Sequence, residues 1–312
     1  MRHFASLQDV NIQDAWLTIG SFDGVHIGHQ QILKEMTAGA AKAGATAVAI
    51  TFYPHPEIIL RGPHGPFYLT TPEEKAHLLG KVGCDIVITL PFDKKIASIS
   101  AHDFVTKLNE RLGLAHLFVG QDFALGHDRE GNVTMLRKYG EEMEFDVHET
   151  PVVKADGEVV SSSRIRKLLS DGKIEQANSL LGRSFTLTGE VERGEGRGRK
   201  IGIPTANLDI WNERATPGSG VYVCQAEVNG QSWLAVTNIG VRPTFGSDED
   251  TATVETHLLD FDEDIYGKSV RLKFLKRLRG EQKFAGVDEL VNQIKSDIVD
   301  AKSYFAVQDA AA

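Results

Sequence analysis

The sequence predicts an α/β domain followed by a mainly-β domain. Its 312 residues are enough for two domains, each with its own core. Short apolar runs alternate with amphipathic helical stretches in the first half, which is typical of a parallel sheet with helices on both faces. Beyond Gly182 strand-like runs dominate, and a helical period returns only at the end. We therefore predict an N-terminal domain over 1–182 and an antiparallel barrel or sandwich with a terminal helix over 183–312.

Composition excludes several classes of protein. The chain is 41% hydrophobic and 25% charged, so collagen-like, coiled-coil and disordered classes do not fit. The formal net charge of -9 argues against a general nucleic-acid binder. No apolar stretch is long enough for a membrane span, and the first residues lack a signal-peptide core, so we expect a cytoplasmic protein with no membrane partner. Cys84 and Cys224 are expected to be reduced core thiols.

Elements of the first half follow from apolar periodicity and capping signals. A helix is predicted over 29–43, with Ile32, Leu33 and Met36 on one face. Thr71-Pro72-Glu73-Glu74 is a capping box that begins another helix. Two short helices are expected over 161–169 and 174–181. The short β-branched runs predict strands over 15–19, 46–52, 85–90 and 116–119.

The second half shows repeated strand signals. Asn229-Gly230 separates two apolar runs and is a strong hairpin signal. Val287 begins an apolar stripe that runs to Ile298 and predicts a helix packed on the core. The predicted strands are 185–191, 220–228, 232–238, 251–259 and 269–274.

A glycine- and histidine-containing loop follows the first predicted strand. Residues 20–29 read Gly-Ser-Phe-Asp-Gly-Val-His-Ile-Gly-His and run into the first helix. The N-terminus of a helix offers free N–H groups, and imidazoles three residues apart can reach phosphate oxygens as charge develops. His26 and His29 are therefore predicted to act in nucleotidyl transfer, against the alternative that they cap or pack the helix.

Two further clusters suit phosphate binding. Ser161–Ser163 with Arg164 and Arg166 could hold the β- and γ-phosphates of ATP, although a serine-capped helix with two solvated arginines is the plainer reading of that segment alone. Residues 189–200 alternate glycines with basic residues and could wrap phosphates or form a solvated hairpin tip. Thr205 and Asn207 are two residues apart, so their side chains face the same side of an extended backbone and could share a hard cation. The expected ion is Mg²⁺, with Mn²⁺ as an alternative.

These motifs resemble two known families in succession. His-x-Gly-His belongs to the nucleotidylyltransferase superfamily, and the full loop over 20–29 resembles the bacterial FAD synthetases. Gly-Ile-Pro-Thr-Ala-Asn over 202–207 resembles the Gly-Phe-Pro-Thr-Ala-Asn signature of riboflavin kinase. The chain thus resembles the bacterial bifunctional riboflavin kinase/FMN adenylyltransferase family. The resemblance implies a Rossmann-like nucleotidylyltransferase domain that makes FAD from FMN and ATP, and a kinase barrel that makes FMN from riboflavin and ATP.

The resemblance also implies roles for individual residues. Glu255 would be the general base of the kinase and would accept the proton of the riboflavin 5′-hydroxyl. His26 and His29 would be the catalytic pair of the adenylyltransferase. The expected binding residues are Gly20, Phe22, Asp23, Gly24, Gly28, Ser161, Ser162, Ser163, Arg164 and Arg166 for the ATP of the adenylyltransferase, Pro54, His55, Pro56 and Asp122 for FMN, Gly189, Gly196, Arg197, Gly198, Arg199, Lys200 and Asn238 for the ATP of the kinase, and Thr205 and Asn207 for the metal.

Departures from the family pattern leave alternatives open. Ser163 stands where threonine is common and Ile203 where phenylalanine is usual, and both exchanges are conservative. Ala124-Leu125 is a larger departure, because a basic or polar residue and a second phenylalanine are usual there. An enzyme that retains only the kinase reaction is one alternative, and a flavin-binding regulatory protein without turnover is another. His-Ile-Gly-His over 26–29 is also the signature of class I aminoacyl-tRNA synthetases, although their lysine-rich partner motif is absent from the sequence.

Overall fold

The computed structural model describes residues 1–62, 65–194, 196–242 and 251–309. Its side chains at 197, 200, 242, 251, 308 and 309 are not described, so the predicted phosphate contacts of Arg197 and Lys200 lie outside the described residues. The chain divides into two compact units, Met1–His64 with Tyr68–Ser162, and Gly65–Phe67 with Ser163–Ala312.

The first unit is built on a six-stranded parallel sheet, as predicted. Its strands are β1 (Arg2–Phe4), β2 (Ala15–Ile19), β3 (Thr46–Tyr53), β4 (Ile86–Pro91), β5 (Leu114–Gly120) and β6 (Asp146–Thr150). Their order across the sheet is β1-β4-β3-β2-β5-β6. Because the chain winds outward from β2 in both directions, the carboxyl ends of β2 and β5 form the point where such sheets bind ligands.

Helices cover both faces of this sheet. The helices of the first unit are α1 (Ile27–Ala43), α2 (Pro56–Arg61), α3 (Pro72–Val82), α4 (Lys94–Ala97), α5 (Ala101–Leu112) and α6 (Val133–Met143), with 3-10 turns at Leu7–Asp9, Asp23–Val25 and His127–Arg129. Leu33 and Met36 of α1 and Leu79 of α3 pack on one face of the sheet. Leu108 of α5 and Leu136 of α6 pack on the other. Two short ladders complete the unit, Ala124–Leu125 with Gly131–Asn132 and Lys154–Ala155 with Glu158–Val159.

The second unit is a closed antiparallel barrel, which confirms the predicted mainly-β domain. Its strands are β7 (Phe185–Glu192), β8 (Ala206–Asp209), β9 (Gly220–Val228), β10 (Gln231–Arg242), β11 (Thr251–Leu258) and β12 (Ser269–Gly280). They close in the order β7-β8-β11-β10-β9-β12. The predicted hairpin joins β9 to β10, where Asn229 (φ 51°) and Gly230 (φ 77°) both adopt the positive φ of a type I′ turn.

Four helices accompany the described strands of the barrel, namely α7 (Ser162–Ser170), α8 (Ile174–Leu181), the short α9 (Arg197–Lys200) and α10 (Val287–Asp309). Of these, α8 and α10 pack on several strands of the barrel. Ala301 and Ile298 of α10 pack against the outward side chains of β9. The predicted stripe of α10 holds only in part, because Val287 is 61% exposed. Of the helices in the described ranges, none is both long and apolar enough to span a bilayer.

The compact units separate after Ser162, the first residue of α7, whereas the sequence places the domain boundary after α8. Asn178 of α8 donates its side-chain amide to the carbonyl oxygen of Phe274 at 2.8 Å, and its side-chain oxygen accepts from the N–H of Phe185 at 2.7 Å. The helices over 163–182 therefore pack with the barrel. The functional boundary at 182 and 183 stays a prediction.

Candidate functional site

The loop after β2 lies at the carboxyl edge of the parallel sheet and has an unusual backbone. Phe22 has φ 47°, Gly24 has φ 77° and Val25 has φ 40°. Positive φ is costly for a side chain such as valine, so the surrounding contacts must hold the loop in this conformation. Phe22 is buried, and a side chain at Gly20 would press against its ring. The packing of Phe22 explains the glycine at position 20, and the positive φ explains the glycine at position 24.

Asp23 supplies the contacts that hold this loop. Its buried carboxylate accepts hydrogen bonds from the N–H of Leu69 at 2.9 Å and of Thr70 at 3.2 Å. The Thr70 hydroxyl also donates to Asp23 at 3.3 Å and accepts from the N–H of Gly24 at 3.2 Å. The carboxylate is thus directed at the protein backbone, so we interpret Asp23 as a positioning residue for the loop. The predicted contact with ATP stays a prediction.

His26 and His29 stack on one another at the start of α1. Their ring centroids are 3.6 Å apart and the rings are inclined by 18°. His26 caps the helix, because its Nδ1 accepts from the N–H of His29 at 3.3 Å, which leaves the proton of a neutral His26 on Nε2. Gly28 lies beside the His26 ring, where a side chain would crowd it. The two predicted imidazoles are therefore brought together, with one of them also capping the helix.

The environment of His29 favours its neutral form. Burial, the neighbouring His26 and the cation of Lys75 all hold the pKa of His29 well below its usual value of 6.5. Its Nδ1 is buried and has no hydrogen-bond partner among the described residues. Phe22 packs edge-on against the ring, with centroids 5.2 Å apart. His29 is therefore an imidazole with one polar atom that a ligand could satisfy.

Lys75 is a functional candidate that the sequence analysis missed. Its side chain is buried on α3, and its Nζ donates to the carbonyl oxygens of Ser21 at 3.0 Å and Phe52 at 3.1 Å. Ser21 follows β2 and Phe52 is the second-last residue of β3, so one cation joins the histidine loop to the carboxyl end of the neighbouring strand. Burial lowers the pKa of Lys75 to about 8, although the Asp23 carboxylate opposes that shift. The signal was present in the sequence, because Lys75 is one turn from Leu79 on the apolar face of α3.

An apolar cavity of about 750 Å³ opens at the same edge of the sheet. Aromatic and aliphatic side chains line it together with a few cations, which is the composition of a site for a planar organic ligand. Lys94 and Arg129 are the lining cations. Ala124 and Leu125, the two departures from the family pattern, also line it. The aromatic residues of its wall are Phe52, Phe92, Phe104 and Phe123.

The predicted FMN residues lie around this edge with different surroundings. Pro56 lines the cavity. Pro54 follows a cis peptide bond, and the Nδ1 of His55 accepts from the N–H of Glu57 at 3.1 Å to cap α2. The backbone oxygen of Asp122 accepts from the Arg129 guanidinium at 2.9 Å. Of the four residues predicted to bind FMN, Pro56 therefore lies on the cavity wall and His55 caps α2. FMN binding by these residues stays a prediction.

The serine and arginine cluster divides between the two compact units. Ser162 belongs to the first unit, and its hydroxyl donates to the backbone oxygen of Asp23 at 2.9 Å. Ser163, Arg164 and Arg166 belong to the second. Within that unit Arg166 donates from Nε to the oxygen of Phe67 at 2.7 Å and lies 3.7 Å above the Phe67 ring. Ser162 therefore joins the histidine loop, while phosphate binding by Ser161, Ser163, Arg164 and Arg166 stays a prediction.

The barrel brings predicted kinase residues into one row. Asn207 on β8 lies directly opposite Glu255 on β11, and Glu255 lies directly opposite Asn238 on β10. Directly paired residues of neighbouring strands project from the same face, about 5 Å apart at Cβ. Val254 and Thr256 are buried in the barrel, so Glu255 projects from its outer face. Hydrogen-bond register therefore places a carboxylate between two amides.

Two glycines fold closely over the predicted metal residues. A side chain at Gly194 would collide with the side-chain amide of Asn207. A side chain at Gly198 would collide with the oxygen of Ile203 and approach the Thr205 hydroxyl to 3.3 Å. The glycine-rich loop thus covers both oxygen-bearing side chains, and it can do so only where a Cβ is missing. Gly194 was not among the predicted site residues.

The other predicted residues of this loop differ in what surrounds them. Gly189 lies where a side chain would collide with the backbone of Asp209, so strand packing alone explains the glycine. Gly196 has φ 68° with open space around it. Arg199 is exposed and lines a cavity of about 420 Å³. ATP binding by these three residues stays a prediction.

The cavity beside Thr205 has an acidic rim. Its wall includes Thr205 and Thr256, and the turn after β11 contributes three carboxylates at 262–264. His257 was missed by the sequence analysis; its Nδ1 lies 2.7 Å from the oxygen of Pro204 and joins β11 to the turn before Thr205. The sequence signal was its position two residues after Glu255 on the same face of a strand.

Comparisons with known proteins agree with this arrangement. Residues 8–164 match the family model described as FAD synthetase, and residues 181–305 match the model described as riboflavin kinase. The bifunctional riboflavin kinase/FMN adenylyltransferase of Listeria monocytogenes is 35% identical over 93% of this chain and 92% of its own length. The protein of the same name from Pseudomonas fluorescens is 38% identical over 93% of this chain and 92% of its own length.

A solved structure extends the likeness over both units. It is a Streptococcus pneumoniae chain described as a macrolide-efflux protein, 31% identical, with a TM-score of 0.88 over 96% of this chain and 98% of that one. The parallel sheet and the barrel thus occur together in another chain of nearly the same extent.

Proposed function

The chain belongs to the bifunctional riboflavin kinase/FMN adenylyltransferase family, and we propose that it carries out both reactions, one in each unit. The barrel transfers the γ-phosphoryl group of ATP to riboflavin and forms FMN. The parallel-sheet unit transfers AMP from a second ATP to FMN, forms FAD and releases pyrophosphate. The observation that carries the proposal is that each unit has its own cavity next to its own family motif.

The stacked histidines fit adenylyl transfer. A phosphate oxygen of FMN attacks the α-phosphorus of ATP, and the bond from that phosphorus to the departing pyrophosphate breaks. Charge grows on the phosphate oxygens as this happens, so preorganised donors accelerate the reaction. The Nε2–H of His26 and a ring N–H of His29 supply such donors beside the N-terminus of α1. No covalent intermediate with the protein is required.

The apolar cavity of the first unit fits the flavin. A planar isoalloxazine ring can stack on its phenylalanines, while Lys94 or Arg129 faces the phosphate. Ala124 and Leu125 keep the wall apolar where the family has bulkier or more polar side chains. We therefore propose that FMN enters this cavity with its phosphate toward the histidine loop.

The row on the barrel fits the kinase reaction. The riboflavin 5′-hydroxyl oxygen attacks the γ-phosphorus of ATP, the bond to the ADP oxygen breaks, and the hydroxyl proton passes to Glu255. Asn207 and Asn238 flank this carboxylate and orient it. The glycines at 194 and 198 hold the loop against Asn207 and Thr205, where backbone N–H groups can meet phosphates.

Thr205 and Asn207 suit a bound Mg²⁺. Their hydroxyl and amide oxygens are hard donors, and both half-buried side chains lie directly beneath the glycine-rich loop. When bound, the ion would neutralise charge on the ATP phosphates. Mn²⁺ has similar donor preferences and would fit the same two side chains.

Chromatography of flavins tests the two reactions together. The protein is incubated with riboflavin, ATP and Mg²⁺, and a parallel reaction starts from FMN. We expect FMN followed by FAD in the first reaction and FAD directly in the second. FMN without FAD would leave a kinase alone, and neither product would favour a flavin-binding protein without turnover. Amino-acid-dependent exchange of ATP with pyrophosphate would instead favour a tRNA-charging enzyme.

Paired variants test the assignment of residues. Glu255→Gln should stop FMN formation but leave FAD formation from supplied FMN intact, and His29→Ala should do the reverse. Glu281→Gln and His102→Ala alter exposed side chains outside both motifs and serve as controls. Loss of both activities in a folded Glu255→Gln protein would overturn the two-site assignment. The expected cytoplasmic location and the absence of a nucleic-acid partner stay predictions.

A further inference from the structure

A second cluster of histidines lies on the parallel sheet away from the proposed active sites. His116 on β5 lies directly opposite Asp146 on β6, and His148 follows two residues along β6. The strand period of two places all three side chains on the same face. Each of the three residues offers one nitrogen or oxygen atom that could bind a metal ion, and these three atoms lie within 4.8 Å of one another. Among the described residues, this is the group with such an arrangement.

Distances within this cluster match one ion. The Nδ1 of His116 is 2.9 Å from the Nε2 of His148 and 3.6 Å from the Oδ2 of Asp146. An ion about 2.1 Å from each atom would see ligand angles of about 90° and 120°. A tetrahedral ion would need the two nitrogens to separate to about 3.4 Å, a small movement for side chains at an edge strand.

The cluster is held in place and is open to solvent. Trp16 lies against the His116 ring with centroids 4.1 Å apart, and Phe118 stacks on the His148 ring at 4.4 Å. The side chains of His116 and Asp146 remain 25% and 77% exposed. The ligand atoms are therefore oriented before binding, which reduces the entropy cost of ion binding, and water can fill the remaining coordination positions.

The two imidazoles form a hydrogen bond with each other when no ion is bound. The Nδ1 of His116 lies 2.9 Å from the Nε2 of His148, so one nitrogen donates its proton and the other accepts it. A metal would replace that proton and satisfy both nitrogens and the carboxylate at once.

We propose that His116, His148 and Asp146 form a site for a divalent first-row transition metal, such as Ni²⁺ or Zn²⁺. Imidazole with carboxylate suits these ions better than Mg²⁺, whose preferred ligands are oxygens. The site joins the edge strand β6 to β5. His116 lies four residues before the end of β5, so the site is on the order of 13 Å from the carboxyl edge of the sheet. Binding there should stabilise the first unit and leave flavin turnover unchanged.

Trp16 provides a local readout of binding. A protein with Trp211→Phe and Trp233→Phe retains Trp16 as its single tryptophan. Ni²⁺ is paramagnetic and quenches an indole a few ångströms away, so a titration with Ni²⁺ in excess Mg²⁺ should quench Trp16 with a stoichiometry of one. Equilibrium dialysis against Zn²⁺ should give the same stoichiometry.

Variants distinguish this site from other histidines. His116→Ala and His148→Ala should each weaken Ni²⁺ binding by about tenfold to a hundredfold or more. His102→Ala is the matched control, because His102 pairs with the carboxylate of Glu142 at 3.4 Å without a second imidazole. Circular dichroism and flavin production check that the variants are folded. Absence of quenching, or equal quenching in folded His148→Ala protein, would overturn the proposal.

Discussion

Replacement of Lys75 by methionine should change how stability depends on pH. Lys75 is buried with its ammonium group on two carbonyl oxygens, and burial lowers its pKa from 10.5 to about 8. Between these values the unfolded chain retains the proton that the folded protein has lost. Unfolding then takes up a proton, so the free energy of unfolding rises with pH in this window.

The magnitude follows from the width of the window. Each pH unit contributes about 1.4 kcal/mol, so the full range from about 8 to 10.5 contributes about 3 kcal/mol. The wild type should gain this amount relative to Lys75→Met as pH rises. Below about pH 8 the difference should be constant, because Lys75 is then protonated in both states.

Urea unfolding followed by Trp16 fluorescence measures this difference. The Trp211→Phe, Trp233→Phe background restricts the signal to the first unit, where Trp16 lies. Lys81→Met is the control, since Lys81 is exposed on the same helix. A difference between wild type and Lys75→Met that stays flat, or falls, from pH 8 to 10 would refute the assignment of a buried, readily deprotonated lysine.

Three further substitutions test other contacts. Asp23→Asn weakens the charge-assisted hydrogen bonds to Leu69 and Thr70. We therefore expect the free energy of unfolding of the first unit to fall by about 1.5–3 kcal/mol, and FAD formation to fall while FMN formation is retained. A thermal melt and flavin chromatography measure these effects, and unchanged FAD formation would contradict the expectation. The added methyl group of Gly194→Ala collides with Asn207, so the rate of FMN formation should fall on the order of a hundredfold while supplied FMN is still converted to FAD. A decrease no larger than that caused by Gly286→Ala, at an exposed glycine, would contradict the expectation. Asp297 is buried, and Asp297→Ala leaves the Arg279 side chain, which is only 15% exposed, without its bidentate partner, bonded at 2.9 and 3.1 Å. The loss should cost about 3–5 kcal/mol in urea unfolding, part of which Arg279→Met should restore. A double variant no more stable than the single one would contradict this interpretation.

Strands and helices with strong periodicity were predictable from the sequence. The predicted strand 15–19 and helix 174–181 match β2 and α8, and the capping box of Thr71 and Glu74 forms as expected. Besides the two-residue strands of the short ladders, three strands of the sheet and the barrel escaped prediction. β1 is three residues long, β8 is four residues long and follows a proline, and β6 reads Asp-Val-His-Glu-Thr without an apolar run. Their pairing depends on neighbouring strands that are distant in sequence.

The candidate sites were predictable in residue type but not in contacts. The motif located His26 and His29, yet their stacking depends on a loop in which Asp23 is held by Leu69, a residue 46 positions away in sequence. Lys75 was not singled out, although it lies on the apolar face of α3, because a lysine on a helix is usually solvated. The single row of Asn207, Glu255 and Asn238 could not be foreseen, since it depends on strand register.

The row on the barrel has a consequence for how this protein can change over generations. Its three side chains are aligned by main-chain pairing in a sheet that closes on itself, so conservative exchanges among interior aliphatic residues leave the alignment intact. Insertion or deletion of one residue within β8 or β11 would turn a member of the row to the opposite face. Closure also removes the free edge at which a strand could slide to compensate. Lineages should therefore vary in the interior aliphatic residues of these two strands, while the strand lengths stay fixed.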